Sequence, residues 1–197
     1  MFISFCTLIL AQGSSQYTNA GYFGDYGAYL AVDGQLSPGN SGFYHSNLEG
    51  YPWLKIMLRK PDNSDYEPQD ITRLVIYQRC DANELYHRTA FEIKWSEEPG
   101  SGDISKEVFP SPRLVGGKYC ATTNQVFFTG GTQFTVLCQP KAVAVKEIFI
   151  SKTTLHSHGN GWPGFAGNQW NSYTGSAPAQ NSAWPVAFLM INEVTLY

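Results

Sequence analysis

Charge is scarce in this chain. Asp, Glu, Lys and Arg together make up 15% of its 197 residues, and the formal net charge is −3. It therefore lacks the basic excess that phosphate binding demands, which argues against a nucleic-acid partner. No apolar run approaches the roughly 20 residues of a membrane-spanning helix. Catalytic signatures are missing too: there is no P-loop, no Rossmann glycine fingerprint and no zinc-spaced Cys/His cluster. Gly39-Asn40-Ser41-Gly42 has the look of a nucleophile turn, but no base and orienting carboxylate stand in a supporting motif around His45, so it reads as a plain turn. His156-Ser157-His158 puts two imidazoles on one side of an extended strand. With no acidic or thiol ligand nearby, they read as solvent-exposed histidines rather than a transition-metal site. These absences speak against an enzyme.

What is abundant is apolar and aromatic. Hydrophobic residues reach 43% and aromatics 15%, punctuated by 19 Gly and 11 Pro. That is too much apolar material for a disordered chain. Helix signals are nearly lacking, whereas strand signals recur. Leu54 to Leu58 follows Pro52-Trp53, Ile71 to Tyr77 is dense in β-branched and aromatic residues, and Phe91-Glu92-Ile93-Lys94-Trp95 alternates with period two. Gln125 to Phe128, Phe134 to Cys138, Ala142 to Ile150 and Phe188 to Tyr197 are further candidates. Turn-rich clusters separate them, the pattern of an all-β sandwich or jelly roll. Three stretches read as long loops or insertions: Lys60 to Asp70, Glu97 to Pro112, and Ser151 to Pro185 with Trp162, Trp170 and Trp184.

The N-terminus has its own character. Met1 to Leu10 is an apolar run followed by Ala11-Gln12-Gly13-Ser14, with small residues at alternate positions. This reads as a secretory leader over residues 1–13, in preference to a buried first strand, and leaves 14–197 as one domain in an extracellular setting. Cleavage removes Cys6 and leaves Cys80, Cys120 and Cys138. In an oxidising compartment Cys120 and Cys138 can close a loop centred on the turn Thr129-Gly130-Gly131-Thr132, worth about 3 kcal/mol if unstrained. Cys80 is left as a buried thiol or as a link to a second copy in a homo-oligomer.

One ordered set of residues carries more information. It comprises Leu30-Ala31-Val32-Asp33-Gly34-Gln35, Phe43-Tyr44-His45-Ser46, Pro52-Trp53-Leu54-Lys55-Ile56, Tyr77-Gln78-Arg79-Cys80-Asp81 with Arg88 beyond, and Met190-Ile191-Asn192-Glu193-Val194. In this order they resemble the F-type lectins, fucose-binding members of the galactose-binding-like jelly-roll superfamily. Discoidin domains share the opening, the Pro-Trp strand and the terminal strand, and the His with Arg-x-Asp favours the lectin.

The resemblance implies a non-catalytic sugar site built from His45, Arg79 and Arg88, with Asp81 holding a guanidinium. The chemistry suits a neutral hexose, because guanidinium forks donate to several hydroxyl acceptors from a fixed plane. Six residues separate Asp81 from Arg88 where the family pattern has four. Ala82-Asn83 stands where the family carries adjacent cysteines, so Leu85, Tyr86 or Phe43 must supply the apolar wall for a deoxy sugar's methyl group. The resemblance also implies a structural Ca²⁺, held by the carboxylates of Asp33 and Glu193 and by loop oxygens of Leu30, Gln35, Ser41 or Gly42, and Asn192, a hard-oxygen set of the kind Ca²⁺ prefers. Fucosylated glycoconjugates are the implied partners. A rival reading is a discoidin-like adhesion, matrix or membrane-binding module that grips through Trp162, Phe165 and Trp170.

Overall fold

The computed structural model describes residues 7–13, 26–36, 42–46, 53–78, 91–99, 118–122, 133–152, 156–157, 185–186 and 189–197. Among them there is no α-helix. The strands are β1 (Leu8–Gly13), β2 (Tyr44–His45), β3 (Trp53–Arg59), β4 (Gln69–Gln78), β5 (Phe91–Ser96), β6 (Lys118–Thr122), β7 (Gln133–Val145), β8 (Glu147–Lys152), β9 (His156–Ser157), β10 (Pro185–Val186) and β11 (Met190–Leu196), with one 3₁₀ turn at Ala28–Ala31. They form a five-stranded sheet ordered β1-β3-β8-β5-β6, a four-stranded sheet ordered β2-β11-β4-β7 and a small β9-β10 ribbon. Each of their pairings is antiparallel.

The period-two alternation of the sequence explains the layers. In β3, Leu54, Ile56 and Leu58 are fully buried, Trp53 and Lys55 are half-buried, and Met57 is buried on the other face. They meet Ile93 and Trp95 of β5, Ile148 and Ile150 of β8, Leu74 and Ile76 of β4, and Ile191, Val194 and Leu196 of β11 in one core. Fully burying such a side chain is worth about 1.5–3 kcal/mol, so this core is the main source of stability. Two antiparallel sheets facing across it make a β-sandwich.

Several sequence expectations shift at their boundaries. The stretch expected as one strand from Ala142 to Ile150 is divided: β7 runs to Val145 and β8 starts at Glu147. Phe134 to Cys138 belongs to the same long β7, which carries Pro140 without harm because it is an edge strand whose register slips between Ile71 and Arg73. The polar stretch from Lys60 to Asp70 is a folded turn. Asp62 caps the Ser64 N–H, Lys60 N–H bonds the Asp65 carbonyl, and Tyr66 bridges back to Arg59. Tyr66 Oη donates to Glu147 Oε1 at 2.7 Å, and burial together with that carboxylate pushes the phenol up to about 12.

Leu8–Gly13, the end of the stretch that reads as a leader, pairs along β3 in this uncleaved chain, with Ile9 and Ala11 against the core. The expected strand Gln125 to Phe128, the turn Thr129 to Thr132, the segment Glu97 to Pro112 beyond residue 99, Cys80, His158 and the tryptophans 162, 170 and 184 lie outside the described residues.

The disulfide between Cys120 and Cys138 is present. It joins β6 to β7, and so ties an edge of one sheet to an edge of the other.

Candidate functional site

β11 organises the site from the middle of the four-stranded sheet. On one side its Met190 lies opposite His45 and its Ile191 opposite Tyr44. On the other side Ile191 lies opposite Gln78. Both neighbours run antiparallel to β11, so β2 and β4 point the same way and leave the sheet at the same end. Tyr44 and Gln78 are therefore two strand spacings apart, about 10 Å. Arg79 is the residue directly after Gln78, and between Gln78 and Phe91 the chain passes from the four-stranded to the five-stranded sheet. Arg79, Asp81, Tyr86 and Arg88 themselves lie outside the described residues, as does Ser41.

His45 is buried in an aromatic corner. Its imidazole meets Tyr26 edge-on with ring centres 5.5 Å apart and stacks on Phe43 at 6.0 Å, and Tyr26 meets Phe43 at 5.7 Å. Such ring pairs add about 0.5–1.5 kcal/mol beyond their area and fix orientation. Its Nδ1 lies 2.6 Å from the Ser46 carbonyl oxygen. Phe43, expected as an apolar wall, is 1% exposed and backs the imidazole. Tyr26 had no signal in the sequence, and Ser46 stood in the ordered set without a role of its own. Their part in the corner follows from the 3₁₀ turn and from the bonds that Ser46 makes to Leu189.

Three residues along β11, Glu193 faces the loop after the 3₁₀ turn. Gly34 N–H donates to Glu193 Oε2 at 3.0 Å, and Gln35 N–H donates to Asp33 Oδ1 at 2.9 Å. Gly34 adopts φ +78°, which glycine takes without strain, and a Cβ there would meet nothing within 4 Å. The loop thus needs glycine for its backbone conformation and not for room. Burial pushes the Glu193 carboxyl up to about 7. The Gly34 N–H lowers it, Asp33's charge raises it further, and the Val194 and Gln35 N–H groups lower it. The acidic donors brought near each other here are the carboxylates of Asp33 and Glu193, and Leu30, Gln35 and Asn192 lie in the same turn and strand. A divalent cation fits this set chemically, because it would supply the counter-charge that the amide groups give incompletely. Among the described residues, no three His, Cys, Asp or Glu side chains gather so as to hold a metal ion, so the two carboxylates would depend on backbone oxygens for the rest of a coordination shell.

No sequence-family model matches the chain, and no curated protein sequence does. Solved structures do. The F5/8 type C domain of a Bacteroides fragilis protein superposes with TM-score 0.55 at 18% identity, covering 96% of this chain and 90% of that one. A fucolectin from striped bass (Morone saxatilis) serum superposes with TM-score 0.53 at 14% identity over 95% of this chain. The match spans 46% of that lectin, so this chain corresponds to about half its length. A Streptococcus pneumoniae fucose-binding module gives TM-score 0.52 at 16% identity, covering 95% and 92% of the two chains. The fold is thus the galactose-binding-like β-sandwich. It is the sandwich that the fucolectin and the F5/8 type C domain have in common.

Proposed function

We propose that this protein is a secreted, non-catalytic carbohydrate-binding module that recognises terminal fucose or a related neutral sugar on glycoconjugates. The observation that carries the reading is the topology around β11: His45 and Gln78, the residue before Arg79 in the chain, stand at the same end of one sheet, two strands apart. That separation suits a single sugar ring bridged by an imidazole on one side and guanidinium forks on the other. The similar structures support the choice of ligand class, since they include a fucolectin and a fucose-binding module.

Ca²⁺ is the cofactor of this reading, held by Asp33 and Glu193 with loop carbonyls. Its contribution is structural: when bound it ties the loop at Asp33–Gln35 to the last strand. Secretion accords with the leader-like N-terminus. Cleavage after Gly13 would remove only an edge strand and leave β3 as the new edge. A single such site binds weakly, so function relies on clustered glycans or on homo-oligomers.

A glycan array tests the proposal. The wild-type chain is expected to retain fucosylated glycans and the Arg79→Ala chain to lose them. Failure of the wild type to bind any fucosylated or related glycan rejects the reading. Liposome and matrix pull-downs in parallel separate it from the discoidin-like alternative, which requires binding there in the absence of sugar recognition.

A further inference from the structure

Residues 8–13 fit the folded sandwich more closely than a discarded leader would. All six pair with β3 in unbroken register, from Leu8 opposite Arg59 to Gly13 opposite Leu54. Thr7 is held just before them, its Oγ accepting from Gln69 Nε2 at 3.2 Å. Side chains alternate along a strand, so positions 9, 11 and 13 share one face and Leu8, Leu10 and Gln12 the other. Ile9 and Ala11 pack against the core. Gly13 lies against the ring of Tyr44, where a Cβ would stand 2.7 Å from Cε2 and nearer still to Cζ and Oη. That ring cannot yield, because it is fully buried and its Oη donates to the Trp53 carbonyl at 2.9 Å. Unlike Gly34, Gly13 is thus needed for room. The inward row shrinks from Ile to Ala to Gly as β1 runs towards Tyr44.

This taper accounts for the small residues at alternate positions. Ala11 and Gly13 are the pair that reads as a peptidase signature in the sequence. Core packing calls for small side chains at the same two places without any peptidase. A residue discarded before the domain folds has no need to match a buried tyrosine so closely. Topology permits a cut after Gly13, since β1 is an edge strand. The side chains oppose it, because the cut would bare the core beneath Ile9 and Ala11 and leave a hole beside Tyr44.

We propose that Leu8–Gly13 is the first strand of the mature domain, and that any processing cut in this chain falls before Thr7 rather than after Ala11 or Gly13. The inference is independent of the sugar-binding reading. It moves the start of the domain from Ser14 to Thr7 and makes β1 the edge of the mature five-stranded sheet.

The test produces the full chain with its own N-terminus in secreting cells and reads the mature protein by intact mass and N-terminal sequencing. The first residue is expected at Thr7 or earlier. A mature chain that begins at Leu8 or later overturns the inference. A chain that stays uncut inside the cell supports the retained strand and counts against secretion alone.

Three measurements on purified protein test the strand itself. Hydrogen exchange of a peptide covering Leu8–Gly13 is expected to be at least about tenfold slower in the folded chain than in the free peptide; equal rates overturn the inference. The chain that begins at Ser14 is expected to unfold about 10 °C lower or not to fold at all, and unfolding at the wild-type temperature overturns the inference. Gly13→Ala is expected to lower the melting temperature by about 5 °C, while Gln12→Ala, on the exposed outer side, leaves it nearly unchanged. In a Tyr44→Leu background the Gly13→Ala loss should disappear, since the space is then free. A Gly13→Ala loss of the same size with and without the Tyr44 ring, or no loss in either, overturns the inference.

Discussion

Two polar groups lie against the same strand and have opposite electrostatic fates. His45, opposite Met190, is held by its surroundings: a carbonyl beside Nδ1, a backbone bond to Tyr26, the Phe43 ring stacked on it and the Tyr26 ring edge-on. Glu193, three residues on from Met190, carries a carboxyl that burial and the charge of Asp33 push up to about 7, and amide donors from its own strand and from the Asp33–Gln35 loop offset that only in part. A buried neutral group can be satisfied by fixed dipoles alone, whereas a buried anion beside a second carboxylate needs a proton or a cation. The His45 ring is therefore held in place by neutral dipoles and rings, whereas charge on Glu193 calls for a counter-charge.

A perturbation outside both regions sets the baseline. Breaking the bridge with Cys120→Ala and Cys138→Ala is expected to cost about 3 kcal/mol in chemical denaturation. Because this bridge joins the β6 and β7 edges, the sugar response and the calcium response should each survive it, as for independent perturbations. Loss of either would tie that region to the far side of the sandwich and break the comparison.

The next effect belongs to Glu193 alone. Its carboxyl holds a proton up to about pH 7 in the folded chain and only to its ordinary value of 4.5 when unfolded. Between those values the native state binds more protons than the unfolded one, so stability falls as pH rises from 4.5 to 7 and is flat on either side. The full shift is discounted for partial solvation of the loop, which leaves a decline of about 2 kcal/mol across that window in a chelating buffer. Millimolar calcium should cancel the decline, and Glu193→Gln should show neither the decline nor the calcium response. Thermal unfolding at several pH values, with chelator and with calcium, measures all three.

Smaller changes separate the two regions further. Gly34→Ala has space for its methyl but must hold φ +78°, a cost of about 1.5 kcal/mol. It should weaken calcium stabilisation and spare sugar binding. Tyr44→Phe removes the bond from Tyr44 Oη to the Trp53 carbonyl at 2.9 Å, which links β2 to β3, and is expected to cost about 1 kcal/mol. It should weaken sugar binding and leave the calcium response intact. An equal effect of either variant on both responses would show that β11 couples the two regions rigidly.

The legible part of the fold was the part with strict alternation. Phe91-Glu92-Ile93-Lys94-Trp95 read as a half-buried strand and is β5, and the β-branched run from Ile71 to Tyr77 is the body of β4. Elements without that pattern were hidden. β2 is two residues long, β6 contains the mixed run Lys118–Thr122, and β1 has the composition of a leader. A short pairing carries too little periodicity to read, and its stability comes from neighbours distant in sequence. At the site, His45, Asp33 and Glu193 were visible as chemistry within an ordered motif. Tyr26 was not, and the part played by Ser46 was not, since one acts through an edge-type ring contact and the other through a backbone carbonyl and bonds to Leu189.

The sequence alone determined the β class, the apolar faces of the strands and the residue types able to meet a sugar or a hard cation, because those follow from local periodicity and side-chain chemistry. Its two late cysteines also limited the disulfide to one pairing once Cys80 was set aside. Tertiary structure decided which groups stand together. β11 lies between β2 and β4, and that placement brings His45 and Gln78 to one sheet end and Glu193 against Gly34. Strand order is fixed by long-range packing of the whole core, and no short stretch of the chain encodes it.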